Sequence, residues 1–415
     1  MIGRGVLESA LRNVVFTAPF PMETTLLFAR AVRGLDDVRL LGIFQQAPEG
    51  AARGWFDDVI VIKDGLDPEQ IVQACKVLMS KHGRIHRLLG VLEDLQVQVA
   101  MVREWLGIEG PTVEVARRFR DKAHMKDVLR AAGVPVARHA HVRSDRDGWA
   151  FAEQVGFPFV LKPPAGAGSR ATYRIDGPQD LAQALAEVRP APDRVMLGEE
   201  FLTGAEHTFE TLTIGGEPMF HSIGRYYPGP LEVMRQQWIQ WVVVLPRDIS
   251  GREFDDTRAT GKKVIQALGL VDGMTHMEWF RRPDGSLAVG EIAARPPGAQ
   301  IVKLMGHAHG ADLYRGWARA VVDRAFDGPY ERKWSTGIAF LRGVGEGRVA
   351  KVDGIEDAQR RMGHLVVEAR LPTVGAPRAS GYEGEGWAIV RHEDTEVVKK
   401  ALFDLITTVR VTYTG

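Results

Sequence analysis

The stretch Thr275-His276-Met277-Glu278-Trp279-Phe280-Arg281, then Arg282-Pro283-Asp284-Gly285, then Ser286-Leu287-Ala288-Val289-Gly290-Glu291-Ile292-Ala293, decides how the chain is read. Pro283-Asp284-Gly285 is a strong turn signal, so Thr275–Arg281 and Ser286–Ala293 are expected to be the two strands of a hairpin. With the turn centred between Asp284 and Gly285, Glu278 lies opposite Glu291 on one face, their Cβ atoms about 5 Å apart. Phe280, Val289 and Ala293 are expected on the same face, an apolar setting. Facing like charges destabilise a sheet unless a cation lies between them. A hard divalent ion, Mg²⁺ first and Mn²⁺ as the alternative, takes oxygen from one or two carboxylates and completes its shell with phosphates and water. From the residues alone, two solvated acids on an exposed hairpin, or a bulge that separates them, remain alternatives. His276 shares the predicted face as a candidate substrate contact or base; a satisfied core histidine also explains it.

Outward from the hairpin, Phe159-Val160-Leu161-Lys162 is a strand ending in a cation, and Pro163-Pro164-Ala165-Gly166-Ala167-Gly168-Ser169 follows. A glycine loop after a strand can aim backbone N–H groups at phosphate oxygens, but the spacing is neither a Walker A loop nor a dinucleotide fingerprint, and a flexible surface turn explains the bare motif as well. Met196–Leu202, with Glu199, Glu200 and Phe201, runs into Gly204-Ala205-Glu206; such a strand can offer backbone groups to an adenine edge and a carboxylate to ribose hydroxyls, and in isolation it also reads as an ordinary strand and turn. Gln236–Leu245 is strand-like, with Trp238 and Trp241 as core residues or as the wall of an acceptor pocket; Arg225 and Arg235 are candidate carboxylate binders nearby. His307 and His309 lack an evident third metal ligand and are read as structural.

Before residue 112 the pattern is strand–helix alternation: Asn13–Ala18, Val38–Phe44, Asp58–Ile62 and Ile85–Val91 as strands, Glu23–Val32, Pro68–Lys81 and Glu93–Leu106 as helices. Alternation of this kind gives right-handed crossovers and a parallel sheet covered on both faces. Ligands bind outside the carboxyl ends of such strands, which makes Glu93 a candidate ligand contact; as an acid in a helix's first turn it also has a structural explanation. A helix capped by Asp121 should end at Gly133. Antiparallel signals follow it, with Thr208–Ile214 and Pro218–Ile223 joined through Gly215-Gly216. A third region of short strands and a late helix, Glu393–Thr407, starts near residue 330.

The composition excludes several classes. Basic and acidic residues balance at 53 each, which argues against a nucleic-acid partner or an acidic membrane. No apolar run reaches the roughly 18 residues of a membrane span, and the single cysteine, Cys75, fits a reducing compartment and a buried helical position. A cytoplasmic protein is expected.

Taken in order, these pieces resemble the ATP-grasp superfamily over roughly residues 13–330. The resemblance implies ATP and Mg²⁺ as cofactors. Lys122, after Asp121, and Lys162 resemble the two phosphate-contacting lysines; Gly166, Gly168 and Ser169 resemble the loop that closes over the phosphates. Glu199, Glu200, Phe201 and Leu202 match the adenine hinge, and Glu206 the ribose acid. Glu278 and Glu291 correspond to the metal acids, and Arg295 to the arginine that neutralises the transferred phosphate. Many members carry Asn two residues after the second metal acid; here that residue is Ala293. The Glu291-Ile292-Ala293-Ala294-Arg295-Pro296 form resembles the carboxylate–amine ligase branch, in particular L-amino-acid ligases. The implied fold is α/β: a parallel pre-ATP-grasp domain (1–111), an α+β ATP-grasp domain (112–329) with a mobile lid at about 136–200, and a small α/β ligase-type domain (330–415). The implied activity joins small-molecule carboxylate and amine substrates through an acyl phosphate, in a homodimer. The alternatives are a biotin-carboxylase-like enzyme acting on bicarbonate and a non-catalytic nucleotide-binding protein. Against the former, Gln236–Leu245 lacks a lysine and the chain has no Ala-Met-Lys-Met.

Overall fold

A run such as Val14-Val15-Phe16, apolar on both sides, is stable only in a strand covered on both faces. In the structure, a computed structural model describing residues 11–165, 172–235, 240–379, 381 and 383–415 (without the side chains of 234 and 235), Arg12–Ala18 lies inside a four-stranded parallel sheet. The order is Asp58–Val61, Val38–Phe44, Arg12–Ala18, Ile85–Leu89. Helices Pro68–His82 and Gln96–Leu106 cover one face, where Val15, Ile43, Ile71, Cys75 and Val99 pack together. Burial there pushes the Cys75 thiol up to about 12, so it stays protonated. Helix Glu23–Arg33 covers the other face with Phe28 and Ala29. The last strand stops at Leu89, and Glu93 opens a short 3₁₀ turn, Glu93–Leu95, beyond its carboxyl end.

The expected change from parallel to antiparallel pairing takes place. His139–Val142, Met196–Glu200, Phe159–Lys162 and Tyr173–Ile175 form an antiparallel sheet, in that order. Helices Asp145–Val155 and Pro178–Val188 back it through a separate core of Phe151, Phe159, Leu161, Leu181 and Leu185. Gly198 is required there, because a Cβ would lie 2.8 Å from the Phe151 ring.

Eight strands build the main sheet, in the order Leu287–Ala293, Gly273–Arg281, Ala205–Ile214, Glu217–Tyr227, Trp241–Leu245, Ser335–Leu341, Gly386–His392, Val366–Arg370. Residues 335–392 therefore share a sheet with 205–293, and the sheet crosses position 329/330. Helix Asp255–Leu268, for which the sequence reading gave no element, seals one face by burying Val264, Ile265 and Leu268 against Met277 and Trp279. Its C-cap, Gly269, has φ 81°, a left-handed conformation that favours glycine. Among the described residues no helix is long and apolar enough to cross a membrane.

The hairpin needs one correction. Near the turn Arg281 faces Leu287 and Phe280 faces Ala288, one residue away from the expected register. Pro283-Asp284-Gly285 is a three-residue loop, closed by Arg282 and Ser286, with Gly285 left-handed at φ 82°. A bulge at Gly290 then restores the register, so that Glu278 faces Glu291 and His276 faces Ala293. Val289 consequently leaves the predicted face. It pairs with Trp279, fully buried, on the side away from the two acids.

Candidate active site

Three layers meet at one cavity of about 1030 Å³, lined by residues of the four-stranded antiparallel sheet, the main sheet and the turn that holds Glu93. The hairpin contributes Glu278 and Glu291. Asp121 caps the helix Lys122–Ala131 by accepting from the N–H groups of Ala123 and His124, which fixes Lys122 at the first helical position. Lys122 Nζ lies 3.2 Å from Glu291 Oε2, and its backbone N–H donates to Pro164 O at 2.9 Å, tying the helix start to the chain just before the glycine loop. Gly166, Gly168 and Ser169 lie outside the described residues.

Lys162, at the end of its strand, lies 3.1 Å from Glu199 Oε2. Burial works against the Lys162 cation, but Glu199 and Glu291 outweigh it and raise its pKa. Burial likewise opposes ionisation of Glu291, yet Lys122, Lys162 and Lys126 hold it down at about 2. At Glu206 the balance is reversed: burial, then the charges of Glu278 and Glu291, outweigh Lys162 and His276 and push its carboxyl well above the usual range. Glu206 also packs against the backbone at Gly229, where a Cβ would lie 1.9 Å from its Oε2. Three acids thus crowd one region, Glu278 and Glu291 face to face and Glu206 beside them.

The hinge residues line the same cavity. Glu200 turns its carboxylate to Arg138, accepting from its backbone N at 3.1 Å and its Nε at 3.2 Å. Phe201 lies under the Arg174 guanidinium, 4.4 Å from the ring centre, and Leu202 is buried with Ala137 and Ala288. At the other end Arg295 donates through Nε to Glu93 at 2.6 Å. The two acidic and basic candidates from opposite ends of the sequence are thus brought into one ion pair, 202 residues apart.

His276 is held from both sides. Its Nδ1 lies 2.9 Å from Glu210 Oε1, and its Nε2 lies 3.3 Å from the Tyr226 hydroxyl and 3.6 Å from Glu278 Oε1. Burial disfavours the imidazolium, but the hydrogen bond to Glu210 and the nearby Glu278 carboxylate prevail and push it up to about 9. Tyr226 donates to Glu278 at 3.2 Å. The residue is therefore a fixed cation beside Glu278 and lines the cavity.

Arg225 lies away from this face. It pairs across the sheet with His207, which faces Trp279, so its side chain is on the side opposite Glu278; it stacks over Tyr227 and lines the cavity from there. Arg235 ends a short helix, Pro230–Arg235, and its side chain lies outside the described residues, as does Trp238. Trp241 is stacked on Phe340 and 1% exposed, a core residue whose edge touches the cavity. His307 pairs with Glu368 and His309 is buried, in keeping with structural roles. The sequence reading missed Lys126, Glu210 and Tyr226. Lys126 had a visible signal, since it follows Lys122 by four residues on a helix and so shares its face. Glu210 and Tyr226 enter only through strand register.

A divalent cation fits the donor set. Two facing carboxylates with a third acid nearby supply hard oxygen ligands and a charge that needs offsetting. Among the described residues no group of three or more His, Cys, Asp or Glu side chains is placed to hold a metal by itself. An ion on Glu278 and Glu291 would share its shell with phosphates and water.

A family model described as the ATP-grasp domain matches residues 127–306. An L-arginine-specific L-amino acid ligase of Bacillus subtilis is 29% identical over 257 residues, 60% of this chain and 61% of that protein. A D-alanine–D-alanine ligase of Frankia casuarinae is 34% identical over 215 residues, 49% of this chain and 55% of the relative. The matched stretches thus span less than two thirds of these relatives' own lengths. The crystal structure of an L-amino acid ligase from Bacillus licheniformis superposes with a TM-score of 0.79 at 18% identity, covering 98% of this chain and all of the other, a likeness of fold. Residues 127–306 thus carry an ATP-grasp domain, and the chain is similar over this region to ATP-grasp ligases.

Proposed function

We propose that the protein is an ATP-dependent carboxylate–amine ligase that forms an amide bond, with amino acids as substrates, and releases ADP and phosphate. The observation that carries this is the single cavity in which Lys122, Lys162, Glu278, Glu291 and Arg295 converge. ATP brings several negative charges, which must be offset before a carboxylate can approach. Lys122 and Lys162 would supply two cations, and Glu278 and Glu291 would hold Mg²⁺, which supplies further positive charge against the phosphates when bound. The substrate carboxylate attacks the γ-phosphorus and ADP leaves, giving an acyl phosphate. The amine then attacks the acyl carbon, the C–O bond to phosphate breaks, and the ammonium proton is lost. Arg295, with a planar fork suited to oxyanions, would stabilise the transferred phosphoryl group and the tetrahedral intermediate.

The hinge strand, with Glu200, Phe201 and Leu202, would hold adenine through its backbone, and Glu206 would accept from ribose hydroxyls. The region 136–200 would act as the lid that excludes water from the acyl phosphate. Its separate core supports motion as a body. The division into 1–111, 112–329 and 330–415 is retained as three functional parts, although one sheet joins the last two.

ADP release against acids without an amino group, amines without a carboxylate, and combinations of the two, with amino acids in both roles, tests the reading. Turnover is expected only when a carboxylate and an amine are both present. Turnover driven by bicarbonate alone would favour a biotin-carboxylase-like reaction, and no turnover with any pair would contradict ligation.

A further inference from the structure

Lys126 has no exposed surface, yet it touches both halves of the site. Its ammonium lies 3.2 Å from Glu199 Oε2 and donates to the carbonyl oxygen of Gly290, the bulge residue. Glu199 Oε2 is the same atom that Lys162 Nζ approaches at 3.1 Å. One carboxylate oxygen is therefore shared by two ammonium groups. The first is sealed in the protein; the second belongs to a residue lining the cavity.

The geometry points to Lys126 as a positioning residue: the permanent counter-cation of Glu199, which leaves Lys162 free to turn to a phosphate. It is also the clamp on the Gly290 bulge that sets Glu291 opposite Glu278. This rests on the reading of the cavity as a nucleotide site. The argument is one of desolvation. A carboxylate as buried as Glu199, with 9% of its side chain exposed, is strongly disfavoured without a partner. If Lys162 were its sole cation, binding a phosphate through Lys162 would strand that charge, and Lys162 would stay on Glu199. With Lys126 in place, Glu199 keeps a cation when Lys162 leaves. A lysine suits the position because three donors on one compact head serve a carboxylate and a carbonyl in different directions. The same head links three segments distant in sequence: the helix Lys122–Ala131, the strand Met196–Glu200 and the hairpin.

Fluorescence titration of the full chain with MANT-ADP and magnesium tests this without requiring turnover. Lys126→Gln keeps a donor and removes the charge; its Kd is expected to rise on the order of thirtyfold. The Lys126→Gln/Glu199→Gln double substitution removes the stranded charge as well and is expected to recover about tenfold of that loss. A merely structural Lys126 would give no recovery, since Glu199→Gln cannot restore a lost clamp. Unchanged affinity in Lys126→Gln, or a double variant as weak as the single, overturns the assignment. If thermal melting shows the single variant unfolded and the double folded, the counter-cation role is supported; if both are unfolded, it is overturned. A wild-type chain that binds no MANT-ADP would instead contradict the nucleotide reading on which the inference rests.

Discussion

Glu291→Ala is expected to lower ADP release on the order of a thousandfold or more while the protein stays folded. Glu291 faces Glu278 across the bulged pair, and three lysines keep it ionised at about 2 against the effect of burial. Without it the two-carboxylate seat for a cation is reduced to Glu278, and Lys122 loses a partner at 3.2 Å. An alanine fits the strand, and the Glu291 side chain is 35% exposed, so the melting temperature should change by only a few degrees, about 2–4 °C for a domain of this size. A coupled ADP assay beside a thermal melt separates the two effects. Activity equal to wild type would refute the assignment of Glu291 to the metal site.

Arg295→Ala should have the second-largest effect, a fall in turnover of roughly a hundredfold to a thousandfold. Arg295 pairs with Glu93, beyond the carboxyl end of the parallel sheet, and the proposal gives it the transferred phosphoryl group, so the KM for ATP is expected to move by no more than about threefold, the pattern of an interaction made in the transition state. The pairing with Glu93 sharpens the expectation. Glu93 has 12% of its side chain exposed and accepts from Arg295 at 2.6 Å. Arg295 also donates through a terminal nitrogen to Pro296 O at 2.9 Å; its planar fork directs several donors in fixed directions, whereas a lysine head has no such fixed geometry. Arg295→Lys should therefore recover little of the lost turnover. Steady-state kinetics with both substrates varied would show this, and full recovery in the lysine variant would mean that Arg295 supplies only charge.

The sequence made much of this site legible, for identifiable reasons. Long apolar strands and capped helices carry their own signals, so the parallel sheet and the helix after Asp121 are found where the residues put them. Glu278 and Glu291 were expected face to face and are face to face, by a route the sequence did not show. The three-residue loop shifts the register by one, and the Gly290 bulge shifts it back. Val289, beyond the bulge, kept the shift and went to the other face. Hydrophobic alternation cannot reveal a bulge, because the bulge is fixed by tertiary partners such as Lys126. Helix Asp255–Leu268 escaped notice because its apolar positions are few, Val264, Ile265 and Leu268, among charged residues. Arg225 was placed near the acceptor side from its chain neighbours, whereas strand alternation carries it to the reverse face. The ion pair between Glu93 and Arg295 depends on how the parallel sheet packs against the main one, and short-range patterns hold no information about that.

The most direct test follows the oxygen atoms. With an acid substrate carrying ¹⁸O in its carboxylate, passage through an acyl phosphate transfers one carboxylate oxygen to the phosphate that leaves when the amine attacks. Mass spectrometry of the released phosphate is expected to show one ¹⁸O for each amide formed. Amide formation with unlabelled phosphate would contradict activation of the carboxylate by phosphoryl transfer, and with it the roles proposed for Lys122, Lys162, Glu278, Glu291 and Arg295.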